Sequence, residues 1–282
     1  MFEGDLWLRA VELAIRAPSV CNVQPWRFRL SGDALELHLL EDCVPGNGDA
    51  AMRTVTISCG VVLHHLRVAI RAAGRTPIVE LVGEPGPSAL LAVIRLGEAR
   101  APTHEDQRRA TAIRLRHTQR EPFDFRPLRG ELLDRLAVAA ADEGGFLDVL
   151  RGDRRTTACE LLSEPDLAPA LQAPALAVLG AAGDGLRDQL EAGQALSAVV
   201  LEAAPEGCWA GFLDAPLQRA SSRGGLHELL SRGEVPMLLL RIGHAAAAPP
   251  LPRLPVDEVL HVERTSRRRR LKQPTREAAH RW

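Results

Sequence analysis

Two short stretches concentrate the groups that could do chemistry. One is Arg116-His117-Thr118-Gln119-Arg120-Glu121-Pro122-Phe123. Two guanidiniums, an imidazole and a hydroxyl within five residues suit a phosphate monoester, because a guanidinium fork meets phosphate oxygens in pairs and the hydroxyl adds a donor. A basic surface turn has the same composition. The other is Pro18-Ser19-Val20-Cys21-Asn22-Val23-Gln24-Pro25-Trp26. Asn22 and Gln24 each offer an amide donor and acceptor, Ser19 adds a hydroxyl, and two prolines hold the backbone. That set suits the edge of a planar ring with its own C=O and N–H groups, such as a uracil-like edge. It equally suits a plain turn, with Ser19 and Asn22 satisfying backbone groups and Trp26 in the core. Arg253, within Pro252-Arg253-Leu254-Pro255, is either a third positive arm or an exposed turn residue.

Regular elements must position these groups. Leu8, Val11 and Ile15 recur at helical spacing, and a helix should stop near Ala17 because the residue before a proline avoids the α region. Trp26, Phe28 and Leu30 alternate with Arg27 and Arg29, Ser31-Gly32-Asp33 turns, and Leu35, Leu37 and Leu39 resume the alternation, which predicts a hairpin. The loop at 18–25 is then pinned at both ends. A loop over Glu41–Ala51 precedes a buried helix carrying Ile57, Gly60, Leu63, Leu66 and Ile70, with Gly74 as its terminating glycine. Strands follow at Ile78–Val82 and Leu90–Leu96 around the turn-rich Gly83–Pro87, then a solvated helix over His104–Arg116.

The second half repeats this plan. Leu132, Leu133, Leu136 and Val138 predict a helix, Phe146–Leu150 and Ala175–Leu179 strands. Gly193 through Gly207 mirrors Gly60 through Gly74 at a constant offset of 133, and Leu240-Arg241-Ile242-Gly243 mirrors Ile94-Arg95-Leu96-Gly97 at an offset of 146. That period is far longer than a solenoid repeat and points to two fused, diverged copies.

Composition narrows the classes. The 282 residues are 46% hydrophobic, enough for one large core or two domains of about 140 residues. A net charge of −1 makes no electrostatic case for nucleic acid or a membrane surface, and Lys272 is the sole lysine among many arginines. Five scattered cysteines without a C-x-x-C pair suggest a reducing cytosol and no structural disulfide. No export signal or spanning segment stands out, so a cytoplasmic protein is expected. The Arg-rich end from Arg264 reads as a solvated, disordered tail. His64 and His65 lack partners at ligand spacing, and Glu41, Asp42 and Asp49 lack calcium-loop spacing, so no metal site is expected. Walker, G-x-G-x-x-G and G-x-S-x-G motifs are absent.

From about residue 6 to 263 the chain resembles the nitroreductase-like flavoproteins, most closely their two-repeat branch, the Acg-type "putative NAD(P)H nitroreductases" of actinobacteria. The stretches at 18–26 and 116–120 carry the resemblance, with weaker support from Ile57-Ser58-Cys59-Gly60 and Arg253 to Val259. It implies an α+β nitroreductase-like fold of two fused repeats, each a mainly antiparallel sheet with packed helices: 1–105 the first, 106–263 the second, intertwined with it. It further implies FMN, with Arg116, His117 and Thr118 at the phosphate, Arg120 near the ring's N1/C2=O side, and Arg253 reaching the phosphate. Pro18, Ser19, Val20, Asn22 and Gln24 would lie against the flavin. Backbone groups near flavin N5 would come from roughly Gly211 to Ala215.

The first copy has the ring loop but no Arg-rich start; the second has the Arg-rich start but only Ala139–Gly145 where the ring loop belongs. One complete site can be assembled from a half of each, giving one FMN per chain, in a monomer that mimics the family's dimer or in a homodimer. The expected activity is hydride transfer from NAD(P)H through flavin N5 to an electron-poor small molecule, a nitroaromatic or quinone, with no obligatory side-chain acid or base. The alternative is a non-enzymatic flavin-binding or storage protein. Two departures bear on this. Cys21 stands where the branch commonly has His and is expected as a small buried thiol. Only Ser163 to Gln172 stands where longer relatives carry an aromatic-rich lid.

Overall fold

The computed structural model describes residues 3–44, 46, 48–82, 89–163, 166–213, 215–230 and 233–263. The chain runs α1 (Glu3–Ala14), β1 (Trp26–Ser31), β2 (Ala34–Leu39), α2 (Asp49–Ala72), β3 (Arg75–Leu81) and β4 (Leu90–Ala99), then crosses over on α3 (His104–Leu115). It continues through α4 (Gly130–Ala141), β5 (Phe146–Leu150), α5 (Gly152–Glu160), α6 (Leu167–Gln172), β6 (Ala175–Ala181), α7 (Leu186–Ala203) and β7 (Cys208–Leu213). Last come α8 (Ala215–Gln218), α9 (Ala220–Glu228), β8 (Val235–His244), α10 (Val256–Val259) and β9 (Leu260–Val262).

The strand orders are β3-β4-β2-β1-β9 and β7-β8-β6-β5. Matching each strand of the first sheet to the one four later reproduces the second, apart from β9. All pairings are antiparallel except that of β9, which runs parallel to β1 through Phe28↔Leu260, Arg29↔His261 and Leu30↔Val262. The last strand among the described residues thus completes the first sheet and ties the copies together. This is an α+β fold of two fused repeats, each a mainly antiparallel sheet with packed helices.

The repeats meet where α2 crosses α7. A Cβ on Gly60 would lie 2.2 Å from the Leu190 carbonyl oxygen, and one on Gly193 would lie 2.1 Å from that of Ile57, so neither position tolerates a side chain. Four residues along, His64 Nδ1 and Ser197 Oγ are 2.7 Å apart, a pair separated by the same 133 residues. Residues touching their own equivalents mark a two-fold axis between two copies. The main core surrounds this crossing. It includes Trp7, Val11, Trp26, Phe28, Leu37, Leu63, Leu66 and Ile70 from one repeat and Leu136, Leu179, Leu190, Val199 and Leu240 from the other.

Several sequence expectations need correcting. Leu8 is 45% exposed, because the buried stripe of α1 is Trp7, Ala10, Val11 and Ala14, one position out of phase. The helix ends at Ala14, with Ile15–Ala17 in a closing turn. Val138 points to solvent, and α4 buries Leu132, Leu133, Leu136, Ala139 and Ala140 instead. The loop from Glu41 gives way to α2 already at Asp49. By length and composition α2 could cross a bilayer, but 83% of that apolar window is buried inside the protein. The expected turn at Gly83–Pro87 and the tail from Arg264 lie outside the described residues.

Candidate functional site

The loop after α1 is held from three sides. Ser19 Oγ accepts from the Gln24 backbone N–H at 3.0 Å, Val20 N–H donates to Ser58 Oγ of α2 at 3.2 Å, and the Cys59 thiol donates to the Pro25 carbonyl at 3.4 Å. The backbone pays a conformational cost here, since Cys21, Asn22 and Gln24 all adopt positive φ, at 47°, 58° and 51°. The tight 3-10 turn at Val20–Asn22 turns the Cys21 side chain outward, so the expected buried thiol is exposed at the cavity rim.

The cationic stretch leaves the carboxyl end of α3, where the helix dipole favours positive charge. It then joins the second sheet. Thr118 bridges Ala210 of β7, and Gln119 N–H donates to the Ala210 carbonyl at 2.9 Å. Gln119 is buried, and its side-chain amide donates to the Glu121 and Pro122 carbonyls, each at 3.2 Å. The His117 ring packs against Trp209 with centroids 4.2 Å apart and planes tilted by 42°, and its Nε2 is 3.1 Å from Gln119 Oε1.

Two adjoining cavities open at the cationic stretch, and the smaller lies between it and the loop. One, of about 530 Å³, has Pro18, Ser19, Val20 and Asn22 on one wall and Thr118 and Arg120 on another, with Arg253 beside them. The other, of about 650 Å³, is lined by Arg116, His117, Thr118, Arg120 and Arg253. Thr118, Gln119, Arg120, Leu251 and Arg253 belong to both, so the cavities share a wall. Each volume suits a small-molecule site. Nine of the ten residues picked out from the sequence therefore line this pair of cavities.

Gln24 is the exception. It is buried, lines neither cavity, and its Oε1 accepts from the Leu254 backbone N–H at 2.9 Å. Asn22 lines the smaller cavity, yet its Nδ2 donates to the Pro252 carbonyl at 3.2 Å and its Oδ1 accepts from Arg253 Nη1 at 2.9 Å. The two amides expected to read a ring edge thus staple the 252–254 segment onto the loop. Arg253 is held further by the Arg16 carbonyl, 3.2 Å from Nη2.

The electrostatics are unbalanced. Arg116 is 7% exposed, and its Nε and Nη1 have no hydrogen-bond partner. Burial, and then the charge of Arg253, pull its guanidinium down to about 9. Among the described residues no carboxylate pairs with it. Burial also lowers Arg253 and Arg241, and lowers His117, which favours its neutral form over a third cation. A buried, unpartnered guanidinium beside a second one is costly unless an anion joins them. A phosphate ester, dianionic and rich in acceptors, fits that donor set.

Sequence reasoning missed Arg241, Ser58, Gln119 and Asp166. Arg241 stood out only as part of a repeat, although one arginine inside the apolar run Met237 to Ile242 signals a buried charge that needs acceptors. Its Nη2 donates to the Gln119 carbonyl at 3.1 Å and clamps the cationic stretch to the sheet. Asp166 and Ser58 carry no comparable signal.

No family model matches the chain. The Mycobacterium tuberculosis protein named "Putative NAD(P)H nitroreductase Rv3131" is 30% identical over 305 residues, covering 89% of this chain and 88% of its own. "Putative NAD(P)H nitroreductase acg" of the same organism is 29% identical over 321 residues, covering 93% and 97%. Among solved structures, a nitroreductase-like family protein from Bacillus cereus is 19% identical with a TM-score of 0.44, over 53% of this chain and 92% of its own. At 30% identity over nearly the whole of both proteins, the chain belongs to the Acg-type NAD(P)H nitroreductase family.

Proposed function

We propose that the protein is an FMN-dependent oxidoreductase that takes hydride from NAD(P)H and passes it to an electron-poor acceptor, a nitroaromatic or quinone, with one FMN per chain. The observation that carries this reading is Arg116, a buried guanidinium with two idle donors on the wall of the paired cavities. Residues 1–105 supply the loop wall, and 106–263 the cationic wall together with Arg253. The names of the relatives support the reductase class.

In this reading the larger cavity holds the phosphate. Arg116 and Arg253 meet its oxygens, and the Thr118 hydroxyl adds a donor. His117, held neutral, orders Gln119 and packs on Trp209. FMN, when bound, supplies the atom that accepts and later releases hydride. Arg120, exposed on the wall that both cavities share, would lie toward the N1/C2=O side of the ring, where its charge would offset negative charge. Pro18, Ser19, Val20 and Asn22 close the opposite wall and exclude water, while Gln24 acts from behind by fixing Leu254. A single chain suffices, because the two walls come from its two repeats.

The test is spectroscopic. Purified protein mixed with FMN and desalted should stay yellow, and anaerobic NADH or NADPH should bleach it. A colourless product sinks the proposal. Retained flavin that neither nicotinamide bleaches would instead indicate flavin storage.

A further inference from the structure

The smaller cavity has a third wall that neither motif supplies. Asp166, just ahead of α6, lines it together with Arg241 from the middle of β8 and Phe212 of β7. Asp166 Oδ2 is buried and has no hydrogen-bond partner. Arg241 is 5% exposed, and its Nε is likewise unpartnered, while its Nη2 is occupied by the Gln119 and Arg120 carbonyls. Two polar groups of opposite type therefore stand in one cavity without bonding each other.

The charged groups facing Asp166 are Arg219, between α8 and α9, and Arg241. Around the same cavity stand Arg120, Arg253 and the Cys21 thiol. Guanidiniums ordinarily draw a carboxyl down. Here burial outweighs both, and the Asp166 carboxyl is raised above its ordinary value. A carboxyl biased toward its neutral form can donate a hydrogen bond and then a proton.

We infer that Asp166 is the proton donor to the acceptor reduced in this cavity, and that the acceptor is a quinone-type dicarbonyl, which takes hydride and proton on different oxygens. The inference rests on the flavin reading above. The step balances as NAD(P)H plus a proton plus quinone giving NAD(P)+ plus hydroquinone. Hydride from NAD(P)H, carrying two electrons, would reach one quinone oxygen by way of the redox chemistry a bound flavin supplies, leaving the other oxygen as a phenolate. The Asp166 O–H bond breaks, its proton forms the second O–H bond, and water reprotonates the carboxylate. Arg241 holds the oxygen while it is negative.

The test compares acceptors that need a proton with one that does not. FMN-loaded wild type and Asp166→Asn are reduced anaerobically with NADPH, then mixed with a naphthoquinone or with ferricyanide, which takes electrons alone. The variant should retain FMN, accept reduction and reoxidise with ferricyanide within about twofold of wild type, but react with the quinone at least about tenfold more slowly. Asp166→Ser should show the same split, which keeps the test open if the first variant folds poorly.

The flavin-free proteins give a second readout. A carboxyl raised in the folded state costs stability once it ionises. Melting temperatures of wild type and Asp166→Asn should therefore agree at pH values below the unfolded carboxyl's, about 3.9, and the variant should pull ahead as pH rises. Equal quinone rates, or a pH-independent melting gap, overturn the inference. So does loss of FMN in the variant, which would put Asp166 against the cofactor. A wild type that retains no FMN sinks the flavin reading instead, while the melting comparison still reports the state of the carboxyl.

Discussion

The two repeats present the same place twice, and they treat it oppositely. After α1 the loop at 18–25 is tied to α2 at Val20 and Pro25, yet a cavity opens beside it, lined by Pro18, Ser19, Val20, Cys21 and Asn22. After α4 the equivalent loop at 142–145 lies flat on α7. A Cβ on Gly145 would come 2.5 Å from Ala195 Cβ, which leaves no room for a ligand. The charges are opposed as well. The open crevice contains a buried guanidinium, Arg116, with which no carboxylate pairs among the described residues, although Glu12 and Glu121 line the same cavity. The closed one contains Glu143, whose carboxylate is paired with Arg67 of α2 and lies 3.5 Å from His64 Nε2. Arg67 also donates to Gln194 Oε1 at 2.7 Å. One crevice pairs its charges and is sealed; the other leaves the Arg116 guanidinium unpaired.

The largest effect should come from forcing the two places apart at the axis between them. Gly193→Val drives a side chain into the Ile57 carbonyl. Nothing flexible can yield there, so we expect a loss of about 4 kcal/mol or failure to fold, read by urea unfolding. A variant of wild-type stability would mean that the helices do not cross at this point.

Next is the sealed crevice. Burial alone would push the Glu143 carboxyl up, but His64 and Arg67 outweigh it and hold the group at about 2. Removing the charge with Glu143→Gln leaves Arg67 without its carboxylate, with Gln194 Oε1 still accepting from it, and should cost about 3 kcal/mol at pH 7. A carboxyl lowered in the folded state contributes stability above its unfolded value, and that contribution fades as pH falls toward the folded one. The gap between wild type and variant should therefore shrink from pH 5 to pH 2. A gap that is constant with pH would show that the pairing contributes nothing.

The open crevice should behave in the reverse sense. Arg116→Met removes a charge that has no partner, so FMN affinity should drop by about 2 kcal/mol, roughly 30-fold, while the flavin-free protein gains about 1 kcal/mol. The sign follows from the lowered guanidinium: its penalty on the folded state is full below pH 9 and relieved as pH rises through that value. The stabilisation seen in the variant should thus be widest near neutral pH. Unchanged FMN retention would remove Arg116 from the phosphate.

The contrast also shows what the sequence could reveal. The repeats were legible because glycines at an axis and apolar residues in strands answer to local rules: Gly60 and Gly193 had to be matched, and Phe146–Leu150 reads as a strand in any context. The strand β9 was not, since Leu260–Val262 is three residues long and becomes a strand only by pairing with β1, more than two hundred residues away. Asn22 and Gln24 lie in the loop between α1 and β1, as their neighbours in sequence predict. Their partners, Arg253 and Leu254, lie at the far end of the chain, and no local pattern shows which acceptor a side-chain amide will find. Asp166 is a single carboxyl ahead of a one-and-a-half-turn helix, and only burial gives it meaning.

The smallest effect concerns the backbone of the two loops. In the closed crevice the left-handed position is Gly144, at φ 81°, where the conformation is free of side-chain strain. In the open crevice Cys21, Asn22 and Gln24 hold such conformations with side chains, and only asparagine tolerates them well. Asn22 and Gln24 have a visible compensation in their bonds to the 252–254 segment. Cys21 is exposed, and among the described residues no hydrogen bond of its thiol offsets its strain. Cys21→Gly should therefore stabilise the protein by up to about 1 kcal/mol, because relief of the left-handed strain exceeds the added entropy of the unfolded chain. FMN affinity should stay within about twofold, since the thiol serves neither the phosphate nor the staple. A marked loss of affinity would mean that the strained conformation at residue 21 is what keeps the cavity beside the loop open, and that backbone conformation, more than charge, separates the open crevice from the closed one.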